Sequence, residues 1–493
     1  MRAAGGQQER TRPPDVIELI PKWELDRAEQ EIERQRREIE RLKQQIERLK
    51  QENERLGKEL EAALRAAKRQ AAPHSRGTPK EHPKRPGRKP GPDYGQHACR
   101  PIPPRVDQTI PVPLPARCPH CGGGVEFQRR EPQYQEEIVR RTIVRRFDIA
   151  LGRCRDCGRP VQGRHSLQTS DAVGVGAVQI GPEALALAAI LNKQMGLSLG
   201  HTRQVLVYGF GLTVSCGGLC RALARLARRA APTYDALVQA TRQALVNVPD
   251  ETGWRVGGRL QWAHVAVSAQ LKVTVYAILP GRGYEQSVVL LGEAYDGFLV
   301  HDGWPPYYRF REAFHQSCLR HLLSRCQEMA RIASAGAAAF PLAVKGLLQT
   351  SLELRDRYQE GEISEHGLRT AAGRLAAELD RRLERSYRDP ANRRLAQHLE
   401  HERPYLFTFL NCPGLDATNH EAERAIRWLV IARKVWGGNR TWPGAQTQQI
   451  LVSVLRTSWQ QDKDPFPRLV LLLRSPATQI LDLLPGPDRA GPG

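Results

Sequence analysis

The sequence predicts a multidomain α+β protein. Three observations carry that expectation: a sustained heptad near the N-terminus, two Cys-x-x-Cys-Gly turns, and a change from helical to strand periodicity at residue 243. At 493 residues the chain is too long for a single core. A formal net charge of +21 and a pI near 9.9 call for a polyanionic partner. No apolar run approaches the ~20 residues that span a bilayer, and the opening stretch lacks the apolar core of a signal peptide. The expected compartment is therefore the cytoplasm, where disulfides rarely persist, and no membrane partner is expected.

After a disordered N-terminus (1–23), residues 24–70 read as a coiled coil. Leu25, Ile32, Ile39, Ile46, Asn53 and Leu60 fall seven apart, with Leu42, Leu49 and Leu56 on the companion core position. β-Branched residues at one core position and Leu at the other favour a parallel dimer, and a single Asn fixes register. A lone charged helix is the alternative. Residues 71–97 are rich in Pro, Gly and basic residues and build no packed core. They read as a linker that touches DNA through Arg85, Arg88 and Lys89, or as a plain spacer.

Residues 98–168 carry Cys118-Pro-His-Cys121 and Cys154-Arg-Asp-Cys157. Four thiolates suit a closed tetrahedral Zn²⁺ site. The alternation of Ile143, Phe147 and Ile149 predicts a β-ribbon between the two turns. A redox pair, four unconnected thiols, or substitution by Cys99 or His120 are the other readings. Residues 175–240 read as three helices, with Ser215 capping the last, arranged like a helix-turn-helix or as a helical spacer. Cys216 and Cys220 are expected to be small core residues.

From residue 243, three consecutive strands, a short helix and a fourth strand describe the start of a ribonuclease-H-like α/β core, spanning 243–440 with a helical insertion at about 330–412. Asp250 is expected to end the first strand and Asp302 the fourth, where an open sheet places its chemistry. The third acid should come from the helix around Ala422, Ile426, Leu429 and Val430, its expected buried stripe. Glu423 adjoins that stripe, whereas Glu421 lies about 200° away around the helix. Three carboxylates can hold two Mg²⁺ ions ~3.5–4 Å apart for in-line displacement at phosphorus, and Mn²⁺ would serve the same ligands. Arg424, Arg427, Arg433 and Lys434 flank Glu423 as candidate phosphate contacts. Cys318 and His321 are expected on the strand after Asp302, as a satisfied core pair.

With these motifs in place, the chain resembles transposases of the insertion-sequence-66 family over nearly its whole length. The matching elements are Cys118-Pro-His-Cys121, Asp250-Glu-Thr252, Asp302-Gly303, Cys318-Leu-Arg-His321, Asn419-His-Glu-Ala-Glu423-Arg-Ala-Ile-Arg427, Arg433-Lys434-x-Trp436 and Asp464-Pro-Phe. The chain departs from the family pattern at Gly253-Trp254, Leu319-Arg320 and Trp428. The resemblance implies a zipper, zinc ribbon, helical DNA-binding segment and split Asp–Asp–Glu domain in that order, with a C-terminal helical tail at 441–493. It also implies that water first frees a 3′ hydroxyl at the element's end and that this hydroxyl then attacks target DNA. Double-stranded DNA, further copies of the chain and small accessory proteins of the same element are the implied partners, acting at the nucleoid. A DNA-binding regulator with incidental acids, or a nuclease that cuts without joining, are the competing readings.

Overall fold

The computed structural model describes residues 22–67, 102–135, 142–168, 179–334, 336–412 and 414–484. The chain divides into two compact units, Met1–Gln135 and Glu136–Gly493. Among the described residues no helix is long and apolar enough to cross a membrane.

In the first unit, helix α1 (Lys22–Ala67) runs 46 residues. Ion pairs one turn apart, such as Arg34–Glu31, Arg37–Glu33 and Arg41–Glu38, line its solvated face. Each contributes only a few tenths of a kcal/mol. The heptad residues Ile32, Ile39, Leu42, Ile46 and Leu49 are all exposed in the single chain. The linker basic residues Arg85, Arg88 and Lys89, and the side chain of Asn53, lie outside the described residues.

The second unit begins with strands β1 (Leu151–Arg153) and β2 (Pro160–Gln162), paired antiparallel. This hairpin corrects the expected ribbon: its strands bracket the second cysteine turn, and the described residues of 142–150 form no strand. Ile143 is exposed there, whereas Phe147 and Ile149 are half-buried, Phe147 with its ring 5.6 Å from that of His165. Helix α2 (Pro182–Ala189) continues into a π-helical turn, Ile190–Gln194. Helix α3 (Leu199–Phe210) starts at Ser198, which accepts from the His201 N–H, and stops at Gly211, whose φ of 69° suits a left-handed cap. Helix α4 (Cys216–Arg242) starts at Ser215 as expected but runs on to Arg242, burying Leu219, Leu223, Leu226, Ala230 and Leu237. Cys216 and Cys220 flank that stripe and are exposed, contrary to the expected burial.

Strands β3 (Val246–Val256), β4 (Arg259–Ser268) and β5 (Val273–Leu279) follow, then helix α5 (Tyr284–Leu291), strand β6 (Phe298–His301) and strand β7 (Phe314–Ser317). The sheet order is β5-β4-β3-β6-β7, with β3–β4 and β4–β5 antiparallel and β3–β6 and β6–β7 parallel. Helices α6 (Leu319–Ile332), α7 (Ala339–Gln359), α8 (Glu365–Leu383), α9 (Pro390–Glu402) and α10 (Thr408–Asn411) lead to α11 (His420–Trp436), α12 (Trp442–Gln460) and α13 (Pro465–Arg474). Strand alternation sorts the two faces. Val248, Trp254, Val265, Val267, Tyr276 and Val300 pack with the α6–α11 side. Ala266, Val275, Ala277 and Leu299 pack with α4, α12 and α13.

Helix α12 is not part of a peripheral tail. It covers the open edge of β5, where Gln449 Oε1, Ser453 Oγ and Thr457 Oγ1 accept from the backbone N–H groups of Ile278, Tyr276 and Thr274 at 3.0, 2.9 and 3.1 Å. Thr457 also donates to the Thr274 carbonyl, as a neighbouring strand would. Four helical residues rise ~6 Å and two strand residues ~6.7 Å, so side chains four apart match alternate strand amides. An edge so covered offers no site for stray strand pairing.

The joint substitution Ser453→Ala and Thr457→Val strands two β5 amides without acceptors. It is expected to destabilise the chain by about 2–6 kcal/mol in denaturant titration, at ~1–3 kcal/mol per unsatisfied group. Ser458→Ala removes only a bond to its own helix at the Val454 carbonyl and should cost far less; equal stability of the double variant and the wild type would remove this role for α12.

Candidate active site

The site arises where β3 leaves one partner and keeps the other. Parallel pairing with β6 covers only Val246–Phe298 and Asn247–Leu299, while antiparallel pairing with β4 continues from Val248 to Val256. Asp250 therefore does not end its strand, as the sequence had implied. It sits three residues past the last parallel rung, on the same face as Val248 and Trp254, toward α11. Asp302 follows the last residue of β6 and is exposed. Its Oδ1 accepts from the Trp304 N–H at 3.0 Å. Gly303, at φ 87°, makes the turn.

Two buried histidines hold this turn. The Gly303 N–H donates to His301 Nδ1 (3.1 Å), His301 Nε2 lies 3.1 Å from His315 Nδ1, and His315 Nε2 lies 3.0 Å from the Phe310 carbonyl. A carbonyl only accepts, so His315 carries its proton on Nε2, and His301 must then donate from its own Nε2. Both rings are neutral in this arrangement. Burial, with the nearby His315, pushes the His301 pKa down to about 3. Behind the turn, the buried carboxylate of Glu402 on α9 accepts from Tyr308 (2.6 Å) and from Ser317. A Cβ at Gly303 would stand 3.0 Å from Glu402 Oε1.

Glu423 lies in the first turn of α11, whose buried stripe is Ala422, Ala425, Ile426, Leu429 and Ala432; Val430 is only half-buried. The C-terminal end of α11 is tied to β3, because Trp254 Nε1 donates to Asn439 (2.8 Å) and Trp254 packs edge-on against Trp436. Gly438 permits this approach: a Cβ there would lie 2.4 Å from the Arg255 carbonyl. Glu423 pairs with Arg320 at 3.2 Å and His321 at 3.6 Å. Glu421 instead pairs with Arg424 at 2.5 Å and with His420 at 3.4 Å.

Cys318 and His321 are displaced from their expected strand. Cys318 caps α6 and is buried, receiving the Asn419 N–H, whereas His321 lies in the first helical turn and is half-exposed beside Glu423. They do not form a core pair. Sequence reading also missed Glu251, whose Oε2 accepts from the buried Tyr307 hydroxyl at 2.7 Å. Alternation puts Glu251 on the opposite face of β3 from Asp250. Its signal was a second acid next to the first, but nothing in the spacing pointed to Tyr307.

The electrostatics join these acids. The Asp250 pKa is pushed up to about 8, first by burial, then by the charge of Glu251, with Asp302 and Glu423 adding to it. Glu251 is raised to about 7, chiefly by burial. Among the described residues, no cation stands within ion-pair distance of Asp250 or Asp302, and no three His, Cys, Asp or Glu side chains are already gathered into a metal cage. An all-carboxylate donor set, with Asp250 and Asp302 unpaired among the described residues and Glu423 held by Arg320, fits a hard divalent ion such as Mg²⁺.

The cysteine turns fit a different metal. In each, the first cysteine's carbonyl accepts from a left-handed glycine: Gly122 N–H to Cys118 and Gly158 N–H to Cys154, at 2.8 and 3.0 Å. Backbone N–H groups of His120 and Cys121 lower the Cys118 thiol pKa, and those of Cys157 and Asp156 lower that of Cys154. Such thiolates suit Zn²⁺. The two turns belong to separate compact units, and each stands by itself.

The four basic candidates on α11 divide. Arg424 is engaged by Glu421, and Arg433 donates to the Gly253 carbonyl, bracing β3. Arg427 and Lys434 are exposed and lie on the Glu423 face, since steps of four and eleven residues return within ~40° around a helix.

Because Asp250 and Glu251 hold their protons more tightly folded than unfolded, their contribution to stability is present below pH 4 and is lost as pH rises toward 8. Mg²⁺ favours the ionised carboxylates and should restore that loss. The melting temperature at pH 8.5 is expected to rise by several degrees with millimolar Mg²⁺, at ~2–4 °C per kcal/mol. The rise should shrink in Asp250→Asn; a melting temperature indifferent to Mg²⁺ would contradict this account of the acids.

A search among curated proteins finds no match to this chain. A family model described as Transposase IS66 family matches residues 177–447, more than half of the sequence, and takes in α3, α4, the whole five-stranded sheet, the inserted helices and α11. The chain belongs to the IS66 family of transposases.

Proposed function

We propose that the chain cleaves the ends of an insertion sequence and joins the freed 3′ hydroxyl to target DNA, with Asp250, Asp302 and Glu423 as the metal-binding acids. The observation that carries this reading is the half-buried Asp250 carboxyl, raised first by burial and then by the charge of Glu251, with Asp302 and Glu423 adding to it. The sheet supports a ribonuclease-H-like core: three antiparallel strands are followed by two parallel ones, in the order β5-β4-β3-β6-β7. Two Mg²⁺ ions, or Mn²⁺, bound there would activate the attacking oxygen and stabilise the leaving one.

The protein's own residues set the geometry. Asp250 is placed by the β3–β4 ladder and Asp302 by the histidine-braced turn. Glu423 comes from a helix anchored through Trp254 and Trp436. Ligation by Glu423 would compete with its ion pair to Arg320 and its contact with His321. Arg427 and Lys434 would track DNA phosphates along the same helix face. Cleavage and joining are then two in-line displacements at phosphorus, with water as the first nucleophile and the 3′ hydroxyl as the second.

Outside the core, we read the two cysteine turns as one structural Zn²⁺ ribbon and residues 175–240 as a helical DNA-binding segment. The linker, with Arg85, Arg88 and Lys89, is a further DNA contact. The exposed heptad face of α1 fits a second copy of the chain as its partner, since transposition must hold two DNA ends together. Accessory proteins of the same element fit as further partners, and cytoplasmic nucleoid DNA as the place of action.

Asp250→Asn, Asp302→Asn and Glu423→Gln should each lower Mg²⁺-dependent strand cleavage well beyond the ~10–100-fold that loss of a supporting contact produces. Binding to element ends in gel shifts should persist. Full activity in Glu423→Gln with a dead Glu421→Gln would move the third acid to Glu421. Charging the seam with Ile39→Lys and Ile46→Lys should convert dimers to monomers in sedimentation and reduce paired-end complexes more than single-end ones; undiminished pairing would place it outside α1.

A further inference from the structure

Between β5 and α5, the tripeptide Gly281-Arg282-Gly283 carries an arginine with an unusual environment. The Arg282 guanidinium lies 3.9 Å from the ring centre of Trp304 and 4.5 Å from that of Trp262. Arg282 is exposed, and among the described residues its side-chain N–H groups donate to no acceptor and no carboxylate pairs with it. Two indole faces thus hold the charge in place and leave its N–H edge free.

The backbone beneath is equally constrained. The Gly281 carbonyl takes a hydrogen bond from His264 Nε2 (2.8 Å), the Arg282 carbonyl takes one from Trp304 Nε1 (3.1 Å), and the Gly283 N–H donates to Gln286 (2.9 Å). Both flanking glycines fit closely over Gln286, since an added Cβ would meet its Oε1 at 3.1 and 3.0 Å. Trp304 is the residue whose own N–H holds Asp302. One residue therefore touches both: the Trp304 backbone N–H holds Asp302, and its indole lies against Arg282. The charge of Arg282 also reaches Glu251, beside Asp250.

We propose that Arg282 is a DNA phosphate clamp beside the acids: its preset guanidinium edge binds a backbone phosphate of the strand being cut and fixes that strand against Asp302. This rests on the transposase reading above and names a contact within it. A planar fork with fixed orientation matches a phosphate bidentately, which a lysine cannot do. Trp262 and Trp304 act as positioning residues through the arginine. The basic residues of α11 lie on another element, so Arg282 supplies a second, separate hold on the strand.

The test uses the full chain and a fluorescent duplex carrying the element's inverted repeat, with affinity measured across a salt series and Mg²⁺-dependent cleavage followed in parallel. Losing one phosphate contact flattens the log-affinity against log-salt slope by ~0.9. Arg282→Ala should show that flattening with lowered cleavage and an unchanged melting temperature. Arg282→Lys should recover the slope but not the cleavage, because the charge returns without the fork. Trp262→Ala should likewise keep the slope and lose cleavage. An Arg282→Ala chain with wild-type slope and cleavage overturns the clamp, as does a loss of sequence preference with no change of slope. If the wild type bound the duplex but neither cut nor joined it, the transposase reading would fail, while the slope would still decide whether Arg282 holds a phosphate.

Discussion

The geometry of the second unit depends on one mismatch in strand length. Strand β3 pairs with β6 for two residues and with β4 for nine. Past Asn247 its β6 side is released while its β4 side stays rigid, so the strand projects without losing its direction. Asp250 is carried on that projecting segment, and Asp302 follows the short neighbour that stopped. Loops alone would leave both acids loose; here one is held by a ladder and the other by a chain of neutral histidines. Because β3 bears this burden, its surroundings are reinforced, with Arg433 and Asn439 binding it from α11 and beyond.

Burial and like charge then act together on the acids. A carboxyl in that setting keeps its proton until something positive arrives, which explains why Asp250 is raised so far. Glu423 instead has a cation at hand, with Arg320 at 3.2 Å and the His321 ring at 3.6 Å. The inserted helices contribute to the same place from behind. Glu402, at the end of α9, fills the space against Gly303 and takes hydrogen bonds from Tyr308 and Ser317. The insertion is thus part of the wall that shapes the Asp302 turn, and not merely an appendage to the sheet.

Much of this was legible in the sequence, because alternation and helical periodicity are local. The strands around Asp250 and Asp302, the cap at Ser215 and the face of α11 all followed from such patterns, and the structure brings Asp302 and Glu423 within electrostatic range of Asp250. Properties set by distant partners were not legible. Asp250 looked like a strand end because Gly253 follows it, yet the ladder to β4 runs on to Val256. Cys318 and His321 looked like neighbours on a strand, but β7 stops at Ser317 and a helix begins. Helix α12 looked like a tail, since nothing local announces that Gln449, Ser453 and Thr457 match the amides of β5. The linker basic residues lie outside the described residues, and the pairing of the cysteine turns stands as a proposal.

The central claim is that three acids from β3, the end of β6 and α11 share divalent ions. Its most direct measurement is anomalous diffraction from crystals of the full chain grown with Mn²⁺ and an element-end duplex. The account predicts manganese peaks bounded by Asp250 and Asp302, with a carboxylate oxygen of Glu423 turned from Arg320 toward the metal. Manganese bound elsewhere, or a filled site in which Glu423 keeps both partners and Glu421 or Glu251 supplies the third ligand, would contradict it.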